Sequence, residues 1–208
     1  MAYDLEEQEQ LDELKAWWKR YGNLVMGVAS AALLTFAAVQ GWKIYQHQQS
    51  LKASTQYEAL TELDSRDLKG IRSISAQLMD EYAGTPYAAR AALLAAKANY
   101  AANDSKSAKA QIEWVMSHAS EDSLRAIAQL QLAAWQYDDK EYDAALKTLN
   151  DKHDVGFDGL FADLRGDVLA ALGRKTEARA AYAEALAHLD GEGRYRHYTE
   201  HKLDALGS

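Results

Sequence analysis

An all-α chain is predicted, with a single N-terminal transmembrane helix followed by a domain of helical repeats. Three observations predict it. Residues 21–42, "YGNLVMGVASAALLTFAAVQGW", run 22 positions without a charge in a 208-residue chain of which 26% is charged. The chain holds one proline, Pro86, and is rich in Ala, Leu, Glu, Lys and Gln, which favour helix; no run alternates with period two as a strand would. Downstream, three stretches share one rhythm of helix, polar turn and helix.

The uncharged segment comes first. As a helix it spans roughly 33 Å, enough to cross a hydrocarbon core of about 30 Å. Trp17, Trp18 and Tyr21 flank one end, Trp42 and Tyr45 the other, as aromatic belts do at membrane interfaces. Asn23, Ser30, Thr35 and Gln40 make its hydrophobicity moderate. A cleaved signal would have a short basic lead and an apolar stretch of about 7–15 residues. Here six acids, Asp4, Glu6, Glu7, Glu9, Asp12 and Glu13, precede the span, so a retained anchor is expected. Lys15, Lys19 and Arg20 lie before it against Lys43 and Lys52 after it, which orients the N-terminus to the cytoplasm. The expected division is a cytoplasmic tail over 1–21, a transmembrane helix over 22–45 and an extracytoplasmic repeat domain over 46–208. The absence of cysteine permits an exported domain without requiring one. Within the span, Gly27 and Ala31 form a small-x-x-x-small pair with Thr35 a turn further on, a face that lets a second helix approach closely.

The repeats follow. They are "ALLAAKANYAANDSKSAKAQIEWVM" (92–116), "AQLQLAAWQYDDKEYDAALKTL" (128–149) and "FADLRGDVLAALGRKTEARAAYAEAL" (161–186). Their turns are expected at Asn103-Asp104, Asp138-Asp139 and Gly173-Arg174, residue types that stop helices or accept left-handed backbone. Each second helix carries a small residue near its start, Ala108, Ala145 and Ala178, spaced by 37 and 33. A short side chain there lets two antiparallel helices approach, and Ile112, Leu149 and Tyr182 four residues on fill the space beside it. Upstream, Ile74 and Leu78 are expected to take the same two places in a partial earlier repeat. Thr85 reads as an N-cap and Pro86 as the first helical residue, where a missing N–H costs nothing. Helix–turn–helix units with this period are the tetratricopeptide signature. The third repeat fits best, with Gly166, Ala178, Tyr182 and Ala185 in register; the first lacks the aromatic of the second helix. "GEGRYRHYTEHKLDAL" reads as a polar helix capping the exposed end of the array.

Charge and motifs narrow the chemistry. Four of the 23 Lys and Arg and six of the 31 Asp and Glu precede Gln46, which leaves the repeat domain at −6. That argues against a nucleic-acid footprint, which needs clustered positive charge. Walker, Gly-x-Ser-x-Gly and His-Glu-x-x-His motifs are all missing, so no enzyme activity, cofactor or metal is expected. His197 and His201 stand at i,i+4, but a metal site needs three or four ligands. Protein binding is the reading that remains. In stacked helix pairs the first helices line the concave face. The register places Arg90, Lys97 and Tyr100 there in the first repeat, Ile127, Leu130 and Tyr137 in the second, and Asp163 and Asp167 in the third.

The layout as a whole resembles a known family. An acidic tail, "WWKRYGN" before the span, "GWKIYQ" after it, "TPYAARAALLAAK" and the Gly-Arg-x-x-Glu-Ala-Arg-x-Ala-Tyr repeat are similar to the YfgM-like family of ancillary subunits of the bacterial SecYEG translocon. The resemblance implies a single-pass inner-membrane protein with a periplasmic tetratricopeptide-like domain. It also implies association with SecYEG and with the membrane-anchored periplasmic chaperone PpiD, and help in handing over newly exported proteins. The rival expectation is an envelope scaffold for cell-wall or division machinery, with no role in export.

Overall fold

In the computed structural model the described residues are 3–189, 191 and 193–207. Residues 1–2 of the expected tail, and Glu192 of the expected capping stretch, lie outside them. The described residues are helical throughout, without a strand. Two units divide the chain, residues 1–48 and 49–208.

The first helix, α1 (Tyr3–Thr61), contributes residues to both units. In the first unit it is long and apolar enough to cross a membrane. Leu33, Leu34 and Phe36 are exposed there and pack into no protein core. Trp17 packs on Trp18 and Tyr21, with ring centroids 6.3 and 5.7 Å apart, and Trp42 packs on Tyr45 at 5.9 Å. The aromatic groups thus bracket the uncharged segment on the helix itself.

The second unit begins with the end of α1. There Ala53 and Leu60 are buried against Ile71 and Leu78 of α2 (Leu68–Glu81) and Ala88, Ala91 and Ala95 of α3 (Pro86–Ala101). The last turns of α1 therefore act as the first helix of a pair with α2. Three further pairs follow the same plan: α3 with α4 (Ser105–His118), α5 (Asp122–Asp138) with α6 (Tyr142–Asn150), and α7 (Asp158–Ala171) with α8 (Lys175–His188). A 3-10 turn, Val155–Phe157, leads into α7, and α9 (Arg194–Ala205) closes the array.

Hydrogen bonds define the register. The N-cap carbonyls of the second helices, at Asp67, Asp104, Glu141 and Arg174, accept from the N–H groups of Ile71, Ala108, Ala145 and Ala178 at 3.0–3.1 Å. Ala108, Ala145 and Ala178 are all fully buried, and Ile112, Leu149 and Tyr182 are buried four residues on. The upstream unit corrects one expectation. Its equivalent of Ala108 is Ile71, 37 residues earlier, rather than Ile74. The helix buries Ile71, Ser75 and Leu78, as α4 buries Ala108, Ile112 and Val115, while Ile74 is half-buried. A β-branched residue at a helical start looked equivalent in either of two phases. The cap at Asp67, whose side chain accepts from Gly70 N–H at 2.9 Å, selects one.

The turns are built alike. Asn103, Lys140 and Gly173 carry φ of 60°, 62° and 74°. Each is followed by an N–H that reaches back five residues: Asp104 to Asn99, Glu141 to Gln136 and Arg174 to Leu169, at 2.7–2.9 Å. These are Schellman closures, which satisfy the last carbonyls of the first helix. The second turn therefore centres on Lys140, not on Asp138-Asp139. Asp138 is still helical, and the Asp139 carboxylate reaches Lys109 of α4 at 3.2 Å rather than local backbone. Thr85 is the N-cap of α3 with Pro86 at N1, but its hydroxyl donates back to the Tyr82 carbonyl at 2.8 Å instead of capping.

Gly166 explains why the third pair fits most closely. A Cβ there would stand 2.4 Å from the Tyr182 ring. Glycine lets the ring lie on the α7 backbone, and the Tyr182 hydroxyl then donates to Asp167 at 2.8 Å.

Candidate functional site

The first helices α3, α5 and α7 pack side by side, α3 on α5 and α5 on α7. Their outward residues form the candidate binding face.

On α3, Arg90 forms two bonds to the Glu121 carboxylate at the start of α5, at 3.2 and 3.1 Å. It ties two first helices together while remaining 38% exposed. Lys97 is exposed. Tyr100 is half-buried and stacks on Trp135 of α5, with centroids 4.4 Å apart and planes at 9°. Burial, followed by the Asp139 and Asp138 carboxylates, pushes its phenol above the ordinary value. On α5, Ile127 is 41% exposed, a large aliphatic group facing water. Leu130 is half-buried in the cluster of Phe161, Val168 and Leu149. Tyr137 is half-buried and tilted against Tyr142 at 5.9 Å. Its phenol is also raised, by burial and then by Asp167.

On α7 the picture changes, because α9 lies over it. Asp163 is buried, with Thr199 Oγ1 donating to Oδ1 and Lys202 Nζ to Oδ2, both at 2.8 Å. Asp167 receives Lys202 at 2.7 Å and Tyr182 at 2.8 Å. The Lys202 ammonium also stands 4.7 Å from the Tyr198 ring centroid and 5.8 Å from that of Tyr182. One ammonium serves two carboxylates, and the shifts follow from that. For Asp167, burial and the like charge of Asp163 outweigh its donors, and its pKa is raised. For Lys202, burial pulls down, but two carboxylates pull up and prevail.

Of the eight expected face residues, the structure brings Asp163 and Asp167 onto one partner and sets Tyr137 within the field of Asp167. Arg90, Tyr100 and Leu130 have neighbours on the adjoining helix, while Lys97 and Ile127 are left outward. Sequence reasoning missed Trp135, Tyr195, Tyr198 and Lys202. Tyr195 and Tyr198 are 50% and 61% exposed, and the spacing of 195, 198 and 202 along one flank of α9 is the signal that marks them.

In the apolar segment, Gly27, Ala31 and Thr35 are exposed on α1, and the Thr35 hydroxyl donates to the Ala31 carbonyl at 2.8 Å. That bond leaves the face without a free hydroxyl donor. His197 pairs with Glu200 at 3.1 Å. Among the described residues no three His, Asp or Glu side chains converge as metal ligands. A cleft of about 510 Å³ lies between α4, α5 and α6, with Met116, Leu132 and Ala144 inside and Glu113, Lys147 and Asp151 among its lining.

A membrane-length helix joined to helix pairs repeating every 33–37 residues defines a class, that of helical-repeat proteins with a candidate membrane anchor. The family described as "Tetratricopeptide repeat-like domain" matches residues 15–208, so the match takes in the apolar helix as well as the repeats. Three relatives share the name "Ancillary SecYEG translocon subunit". That of Haemophilus influenzae is 31% identical over 188 residues, 89% of this chain and 91% of that protein. That of Neisseria gonorrhoeae is 30% identical over 214 residues, 99% of this chain and all of that protein. That of Escherichia coli K12 is 29% identical over 179 residues, 85% of each. The chain belongs to this tetratricopeptide repeat-like family and is related along most of its length to proteins named as ancillary SecYEG translocon subunits. No solved structure matches it.

Proposed function

We propose that this protein is an inner-membrane adaptor at the SecYEG translocon, with its N-terminus in the cytoplasm and its repeat domain in the periplasm. There it binds other proteins, PpiD among them, and assists the hand-over of exported chains to periplasmic chaperones. The observation that carries this reading is the co-linear likeness: relatives named as translocon subunits match the chain through both anchor and repeats. The first-helix face supplies a means. Lys97 and Ile127 stand outward, and the half-buried rings of Tyr100 and Tyr137 offer large area at low cost in rotamer entropy. The topology rests on the excess of Lys15, Lys19 and Arg20 before the span.

The test is photo-crosslinking in intact cells from residues 97 and 127, followed by purification under mild detergent. Translocon subunits and PpiD crosslinked from these positions support the reading. Cell-wall or division proteins in their place establish the envelope scaffold instead. No crosslink from either position, with capture from a crosslinker placed at residue 31, would move binding to the Gly27–Ala31–Thr35 face.

A further inference from the structure

The C-terminal helix α9 is docked by a different chemistry from the helices whose place it takes. Among the described residues, α5 meets α4 through Leu124, Leu132 and Trp135 on Ile112 and Val115. Likewise α7 meets α6 through Phe161 and Val168 on Ala145 and Leu149. In α9 the one buried side chain is Thr199, which is polar. Its leucines, Leu203 and Leu206, are half-buried against Leu169, Ala181 and Tyr182. The remaining attachment is polar. Lys202 forks across Asp163 and Asp167. Arg196 donates to the carbonyls of Leu186 and Leu189 at the end of α8, at 2.7 and 3.4 Å, and Arg179 donates to the Gly207 carbonyl.

Such an interface gains little from apolar burial, which drives most docking of helices. Ion pairs with buried members set register more than they add net stability, because desolvation offsets their attraction. Elements with few buried apolar contacts open below the free energy of global unfolding. When α9 opens, Asp163 and Asp167 are uncovered together with Tyr182. They stand where the preceding unit, 33 residues earlier, has Leu130 and Ala134. The seat so exposed has two carboxylates, a tyrosine face and a net negative charge, and α9 shows what fills it: a small hydroxyl side chain three residues before a lysine.

We propose that α9 is a releasable latch over the last unit, and that its seat on α7 and α8 takes a lysine-bearing segment of another protein in its place. This does not depend on what the outward residues of α3 and α5 bind.

The test uses the full chain in detergent micelles. In amide exchange, α9 is expected to open while α5 to α8 stay protected. Lys202→Ala should speed exchange in α9 on the order of 100-fold, and Lys202→Arg far less. A fluorescent peptide of residues 194–205 should then bind the Lys202→Ala chain, and the same peptide with alanine for its lysine should bind at least about tenfold more weakly. Circular dichroism and unchanged protection of α3 to α8 certify that the variant is folded. The proposal is overturned if α9 exchanges only with α7 and α8, or if the peptide fails to bind the folded variant or binds regardless of its lysine.

Discussion

Tyr182 holds three roles through one ring. It fills the crossing of α7 and α8, lies on Gly166, and donates to Asp167. Burial and then the Asp167 carboxylate hold its phenol far above the ordinary 10.0. A group whose folded pKa is raised contributes stability that is complete below the unfolded value and lost as pH rises through the folded one. Lys202, raised above 10.5, follows the same sign. The pairing of α9 should therefore be intact at neutral pH and lost in alkali as these two groups give up their protons. In an alkaline titration followed by phenolate absorbance, exposed tyrosines should ionise first and Tyr182 last, together with loss of helix. Tyr182→Phe should remove the late step. If all twelve tyrosines titrate in one phase near the ordinary value in the folded chain, the arrangement around Asp167 is wrong. Gly166→Ala adds a second check on the ring. With its Cβ 2.4 Å from the ring, overpacking should cost about 1–3 kcal/mol in urea unfolding.

At the scale of elements, each unit turns through one left-handed residue, and the three differ in how well they suit it. Gly173 has no Cβ to strain, Asn103 tolerates the conformation, and Lys140 pays for it at φ 62°. Lys140 is exposed, and the bonds around it come from backbone groups. Lys140→Gly should therefore stabilise the chain by about 1 kcal/mol or somewhat less, the added freedom of glycine in the unfolded chain offsetting part of the gain. Thermal unfolding of the full chain in detergent checks this, and an unchanged or lowered midpoint would contradict it. The helices themselves were largely legible in the sequence: Pro86 marks the start of α3, Gly173 the end of α7, and the alanines 108, 145 and 178 the crossings. Two details were not. The phase of α2 depended on the Asp67 cap, and the second turn on which of four polar residues, Asp138 to Glu141, took the left-handed site. Propensity alone ranks aspartate above lysine there. The length of α5 decided otherwise, because Asp138 still belongs to the helix.

At the scale of the whole molecule, the absence of native cysteine makes topology directly testable. Gln10 and Thr55 are exposed on α1 on either side of the uncharged segment. With cysteine placed at each in turn, an impermeant maleimide applied to intact spheroplasts should label position 55 and leave position 10 unlabelled. The reverse pattern would invert the orientation drawn from Lys15, Lys19 and Arg20.

The sequence by itself determined the membrane-length helix, the helical class, the repeat period and the family, because charge, periodicity and turn chemistry are local properties of the chain. Only the tertiary structure decided what those residues meet. Periodicity tells which side of a helix a residue occupies, but not which neighbour arrives there. Asp163 and Asp167 read as open face positions, yet Lys202 and Thr199 approach from 35 to 39 residues away and bury one of them. Tyr100 reads the same way, and a ring from the next unit, Trp135, lies flat against it. Pairings across that separation depend on how successive units stack, which no window of the sequence contains.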